Sequence, residues 1–236
     1  MRFDSRKENE LRHVEIISDF TETAGGSVLI NWGKTRVICT ALLENKTMPF
    51  LEGTGKGWLT AEYAMLPSST STRKKRETSR PDGRSTEIKR LIGRSLRQAL
   101  DFEALGEKTI WIDCDVISAD GGTRTASITG AYVALALGVK KWLKEGIIER
   151  NPLIHSIAAV SVGICDNTPL LDLCYREDSN ADVDMNIVMN EKGEFIELQG
   201  TGEGRAFNAD ELSALLDLGK MGIAQLMQKQ NDAIGR

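Results

Sequence analysis

Alternation of apolar and polar side chains marks the strands of this chain. Residues 110–116 set Ile110, Ile112, Cys114 and Val116 against Trp111, Asp113 and Asp115, a two-residue period with one apolar face. Residues 26–31 and 35–43 flank Trp32-Gly33-Lys34 and predict a hairpin, with Ser27, Leu29 and Asn31 on one face and Val28, Ile30 and Trp32 on the other. Residues 58–66 read as another short strand. Two more hairpins are predicted, 154–165 with 170–175 around 166–169, and 182–189 with 194–199 around 190–193.

Helical spacing appears in three places. Ile88, Leu91, Ile92 and Leu96 give residues 84–105 one apolar face, closed by Gly106. A run of small apolar residues over 126–138 reads as a buried helix. Asn208 with Glu211 forms a capping box that opens a last helix, whose core face is Leu212, Leu215, Leu216, Ile223, Leu226 and Met227. Strands, helix, strand, helix, strands, helix is the order of a mixed α/β fold, with hairpins on each side of a helical layer. The two halves are alike in element order, and no Pro- or Ser-rich linker divides them. Residues 1–236 are therefore expected to form a single domain.

Composition narrows the class. A chain of 236 residues can bury a substantial core. No apolar run reaches the roughly 18–20 residues of a membrane span. The N-terminal Met1-Arg-Phe-Asp-Ser-Arg-Lys-Glu8 is charged and lacks the apolar core of a signal peptide, so the expected location is cytoplasmic. Cys39, Cys114, Cys165 and Cys174 lie in apolar runs without a C-x-x-C pair, which argues for buried free thiols and against zinc. The net charge is only −4, but it is segregated. Residues 73–97 hold ten Lys/Arg and three Asp/Glu, whereas residues 172–217 hold three and twelve. A polyanion held together with a cation would use both regions.

Four stretches carry candidate chemistry. The predicted strand over 110–116 breaks at Asp120-Gly121-Gly122 and resumes as a helix after Thr123-Arg124-Thr125. A helix N-terminus offers unpaired N–H groups, glycine lets an anion approach the backbone, and Arg124 adds a fork suited to phosphate. The competing reading is an ordinary turn with Arg124 paired to Asp115 or Asp120. Asp178, Asp182 and Asp184 form a second cluster, in which Asp182 and Asp184 share a strand face and Asp178 reaches them from the preceding turn. It is either an oxygen-ligand site for Mg²⁺ or Mn²⁺ or an acidic turn in water. Arg84 stands at a helix start, a place that suits anion binding better than helix stability. Arg73-Lys74-Lys75-Arg76 fits contact with a phosphate backbone, and Arg90, Arg94 and Arg97 extend a basic stripe along the helix. Residues 53–57 and 200–204 are glycine-rich but lack the spacing of a nucleotide loop. His13 and His155 have no partner arrangement for nucleophilic catalysis.

These stretches converge on a family. Residues 57–67, 83–94, 113–130, 177–186 and 197–201, in that order, resemble ribonuclease PH, the bacterial phosphorolytic exoribonuclease related to polynucleotide phosphorylase and the exosome ring subunits. The resemblance runs nearly end to end, from Leu11-Arg12 to the last helix. It implies an RNase PH-type domain of two pseudo-symmetric β-α halves and a homohexameric ring built as a trimer of dimers. It implies 3′-to-5′ attack of inorganic phosphate on RNA, with release of nucleoside diphosphates, and the reverse addition of nucleotides from diphosphates. Its substrate would be precursor tRNA with nucleotides beyond CCA, with ribosomal RNA as a further substrate. Residue by residue, it implies phosphate binding by Arg84, Gly122, Thr123 and Arg124. It implies metal binding (Mg²⁺ or Mn²⁺) and acid catalysis by Asp178 and Asp184, with Asp182 less firmly matched. The tRNA grip matches Arg73, Lys74, Lys75 and Arg76, and Arg90 and Arg94 continue it. The chain departs from the family pattern at 77–83, at Ser5 where glycine is usual, and at Gly202 where alanine is commoner. Two rival classes are a non-catalytic RNA-binding ring subunit and a metal-dependent hydrolytic nuclease.

Overall fold

The computed structural model describes residues 2–76 and 82–235. Its first sheet comprises β1 (Val14–Ser18), β2 (Gly26–Trp32), β3 (Thr35–Glu44), β4 (Trp58–Met65) and β5 (Thr109–Ser118), in the order β1-β2-β3-β5-β4. All pairs are antiparallel except β4 with β5. The helices α1 (Gly83–Arg97) and α2 (Phe102–Leu105) cross between β4 and β5, which is what lets those two strands run parallel. The second sheet is antiparallel, in the order β7-β6-β8-β9, from β6 (Ile157–Cys165), β7 (Thr168–Leu171), β8 (Val183–Asn190) and β9 (Phe195–Gly202).

Between the sheets lies α3 (Thr123–Lys144). It packs on β2 and β3 on one side and on β6 on the other, so it is buried nearly all round. Its small residues permit this: a Cβ on Gly130 would come within 3.0 Å of Ile30 and Cys39. The last helix, α5 (Ala209–Ile234), covers β6, β7 and β8 and reaches β1. One hydrophobic cluster runs from Val14 through the α3 face to Ile234.

The first and third hairpins form where the alternation places them, and the second forms with a tighter turn and an earlier return strand than expected. Asp166 and Asn167, both at positive φ, make the tight turn between β6 and β7. The Asn190 carboxamide oxygen accepts from the backbone N–H groups of Lys192 and Glu194 and shapes the turn before β9. Asn208 and Glu211 cap α5 reciprocally. Three elements differ from expectation. The helix over 84–105 is two helices, because Asp101 accepts from the N–H groups of Glu103 and Ala104 and starts α2 afresh. Residues 170–175 are not a strand throughout: β7 ends at Leu171, and the short helix α4 (Tyr175–Asp178) follows. The edge strand β1 carries consecutive Ile16 and Ile17, which hides the two-residue period.

Candidate active site

The anion turn is built from below. Residues Asp120, Gly121 and Gly122 leave β5 and enter α3 with φ of +75° and +65° at the two glycines. A Cβ on Gly121 would lie 2.6–2.7 Å from the backbone of Leu173, Cys174 and Tyr175, so only glycine fits. The Thr35 hydroxyl donates to the Gly121 carbonyl at 2.7 Å and accepts from the Asp120 N–H at 2.9 Å. Arg12 donates to the Asp120 carbonyl from the other side. Among the described residues no side chain caps the α3 N-terminus, and no acid lies in its first turn, a setting that suits an anion. Thr123 is fixed by Tyr63 of β4, whose hydroxyl lies 2.9 Å from the Thr123 hydroxyl. Burial raises the Tyr63 pKa, which keeps that hydroxyl a donor.

Arg124 pairs with neither Asp115 nor Asp120. It donates to the Gln199 carboxamide oxygen at 2.7 Å and to Glu87 at 3.3 Å, and Gln199 in turn donates to Glu87 at 3.0 Å. This triangle joins α1, α3 and β9 and aims the guanidinium. Arg84 sits in the first turn of α1, which Asp82 caps through the Ser85 N–H. The arginine is exposed and faces the same cavity.

The second sheet supplies the opposite wall. Asp178 closes α4, and Asp184 lies early on β8. α4 is anchored by the buried pair of Glu177 with Arg2, at 2.7 Å, and by the Cys174 N–H donating to Glu177. Desolvation raises the Asp178 pKa, against the pull of Arg84, Arg124 and Arg12. Desolvation raises Asp184 as well, with added repulsion from Asp178 and Glu203.

Arg84, Gly122, Thr123, Arg124, Asp178 and Asp184 thus line one cavity of about 440 Å³. Ser161, Asn186, Gln199, Thr201 and Glu203 complete it. Asp182 does not line it. That residue precedes β8, beside Gly204, and turns toward Arg205 at 3.9 Å. The glycine-rich 200–204 stretch is no nucleotide loop, yet it delivers Thr201 and Glu203 to the rim. Among the described residues no group of three His, Cys, Asp or Glu side chains is arranged to hold a metal unaided.

The basic residues divide. Arg73, Lys75 and Arg76 are exposed, and Arg73 and Arg76 line a shallow groove with Leu66 and Pro67. The groove is tied to the anion turn, because the Ala119 N–H donates to the Ser69 carbonyl. Lys74 reaches Asp82 at 3.4 Å. Arg90 is exposed, but Arg94 is taken up by a two-point pair with Glu197, at 2.6 and 2.9 Å, and Arg97 stacks on Trp58. Of the departure at 77–83, residues 77–81 lie outside the described residues.

A single cavity thus joins a helix N-terminus, two arginines and two carboxylates, a setting suited to a phosphate ester. The chain belongs to the 3′ exoribonuclease family: its domain 1 model matches residues 10–139 and its domain 2 model matches residues 155–222. Over 236 residues it is 55% identical to a Ribonuclease PH of Syntrophomonas wolfei subsp. wolfei, covering 99% of each chain. Its fold is that of rice (Oryza sativa) Rrp46, with a TM-score of 0.82 at 17% identity over 100% of both chains. The Archaeoglobus fulgidus exosome with RNA bound to the active site gives a TM-score of 0.81 at 24% identity, over 97% of this chain and 92% of that one. No helix among the described residues is long and apolar enough to cross a membrane.

Proposed function

We propose that the cavity holds inorganic phosphate against the 3′ end of an RNA and runs phosphorolytic 3′-to-5′ trimming. One observation carries this reading. The anion donors from the first half and the carboxylates from the second line the same cavity. The phosphate is held by Arg84, Arg124 and the N–H groups of Gly122 and Thr123. An oxygen of that phosphate attacks the terminal phosphodiester, the P–O3′ bond breaks, and a nucleoside diphosphate leaves. The shortened RNA keeps its 3′ oxygen, which takes up one proton. Hydrogen phosphate brings one proton and the diphosphate keeps none of it, so the step balances. Asp184 is assigned to pass that proton on.

Both reactants are anions, so cationic groups and N–H donors have to carry the transition state. Asp178 and Asp184 fit Mg²⁺ or Mn²⁺, which bind through one or two carboxylates plus substrate phosphates. The ion would supply positive charge at the scissile group. The exposed cations Arg73, Lys75, Arg76 and Arg90, together with Lys74, are proposed to grip the RNA backbone. Arg94, already paired with Glu197, would have to exchange partners to join them.

Precursor tRNA is the proposed substrate, with ribosomal RNA second. A homohexameric ring is the proposed assembly, supported by exposed apolar side chains such as Leu42, Phe50 and Leu198. One domain over 1–236 is supported by the unbroken hydrophobic cluster. Four free cysteines suit the reducing cytosol as the place of action.

The test is product analysis of a short RNA with Mg²⁺, with and without inorganic phosphate. Phosphate-dependent nucleoside diphosphate is expected. Monophosphate formed without phosphate would make Asp178 and Asp184 a hydrolytic site, and bound RNA without product would indicate a non-catalytic subunit.

A further inference from the structure

One side chain on the cavity floor has no part in the reaction as described. Asn186 lies on β8, two residues beyond Asp184 and hence on the same strand face. It lines the cavity and is only 8% exposed. Its cross-strand neighbours are Ser161 on β6 and Gln199 on β9. Gln199 is committed, bridging Arg124 and Glu87, and the Ser161 hydroxyl accepts from the Leu173 N–H at 3.2 Å. The Asn186 carboxamide has no hydrogen-bond partner among the described residues. The side chain is mostly buried, but its amide atoms stay open to the cavity, so they can pair with what the cavity binds.

The neighbours identify that ligand. The Ser161 hydroxyl lies 3.9 Å from where a Cβ on Gly122 would sit, so the floor abuts the anion turn. On the other side Gln199 holds Arg124. Asn186 therefore sits between two groups assigned to phosphate. A carboxamide offers two N–H donors without a charge. That chemistry suits a dianion that must lie beside Asp178, Asp184 and Glu203.

We propose that Asn186 donates its side-chain N–H to a non-bridging oxygen of the attacking phosphate, and to the β-phosphate of the nucleoside diphosphate in the reverse direction. It is a catalytic residue of the phosphate subsite. The inference rests on the phosphorolytic reading.

The experiment compares the full-length protein with Asn186→Ala and with the near-isosteric Asn186→Asp. Affinity for inorganic phosphate is measured calorimetrically without RNA, and the KM for phosphate and for RNA are measured in turnover. Loss of a hydrogen bond to a charged group predicts phosphate affinity and phosphate KM about tenfold or more poorer in Asn186→Ala, with the KM for RNA unchanged. Asn186→Asp should be worse than alanine, because it adds repulsion to the lost donor. If the alanine variant fails to fold, Asn186→Leu takes its place, because it removes the carboxamide donor at similar size without adding a charge. Phosphate affinity equal to wild type in a folded variant, or a defect confined to the KM for RNA, overturns the proposal. Wild-type protein that binds phosphate but releases monophosphate without it refutes phosphorolysis and leaves the Asn186 contact to be judged by binding. Wild-type protein that binds no phosphate overturns both.

Discussion

Arg12 and Asp172 form a buried two-point ion pair directly beneath the anion turn, with nitrogen–oxygen distances of 2.7 and 3.0 Å. The Trp32 indole N–H donates to the same carboxylate at 2.8 Å, and Arg12 also holds the Asp120 carbonyl. The pair thus links the second half of the chain to the turn that the first half presents. Removing Asp172 leaves Arg12 buried without its counter-charge, whereas removing Arg12 leaves Asp172 with Arg6 at 3.5 Å and the Trp32 N–H. Asp172→Ala is expected to cost about 3–5 kcal/mol of stability, and Arg12→Ala less. Thermal unfolding of each variant, and of the double variant, checks this. The double variant should lose less than the sum of the two, because the shared interaction is removed only once.

Gly121→Ala places a methyl group against the Leu173–Tyr175 backbone in a left-handed conformation. About 1–3 kcal/mol of strain is expected, and because the contact is with the segment leading to Asp178, turnover should fall together with stability. The same substitution at Gly53, also at positive φ but with open space around it, should leave turnover unchanged.

Arg84 is exposed, forms no ion pair among the described residues, and faces the cavity. Arg84→Ala should therefore raise the KM for phosphate by about one to two orders of magnitude, with RNA affinity and thermal midpoint close to wild type. A matched loss in phosphate and RNA binding would argue that Arg84 grips the RNA instead.

Asp184→Asn should abolish turnover and stabilise the metal-free protein. Burial, Asp178 and Glu203 raise the Asp184 pKa in the fold above its unfolded value. The folded state then holds that proton to a higher pH than the unfolded chain, so stability falls as pH rises through the interval between the two values. Above that interval the ionised carboxylate is a standing cost that asparagine lacks. Thermal midpoints measured with a chelator should favour Asp184→Asn at neutral pH, and the gap should close as pH drops below the ordinary aspartate range.

Much of the site was legible because its chemistry gathers at turns. Gly122, Thr123 and Arg124 are consecutive, Arg84 stands at a helix start, and Asp178 and Asp184 flank a strand start, so local pattern located them. Ser161, Asn186 and Gln199 meet only through the β6-β8-β9 register, which pairs residues far apart in the chain. Tyr63 on β4 reaches Thr123 at the start of α3, a contact 60 residues apart in the chain. Strand parity grouped Asp182 with Asp184, but Asp182 precedes the ladder, where Arg205 draws it away. The basic stripe was visible as a period, but nothing local reveals that Glu197 takes one of its arginines and Trp58 another.

The division of the cavity between the halves has a consequence for synthesis. Arg84 and the anion turn emerge from the ribosome well before Asp178, Asp184 and the β9 side chains. A chain completed only to α3 carries cationic groups but neither aspartate, and Arg12 still lacks its Asp172. On the proposed reading, the site that would act on RNA is complete only when the second sheet closes over α3, so a half-made chain on the ribosome would bind anions without being able to cut.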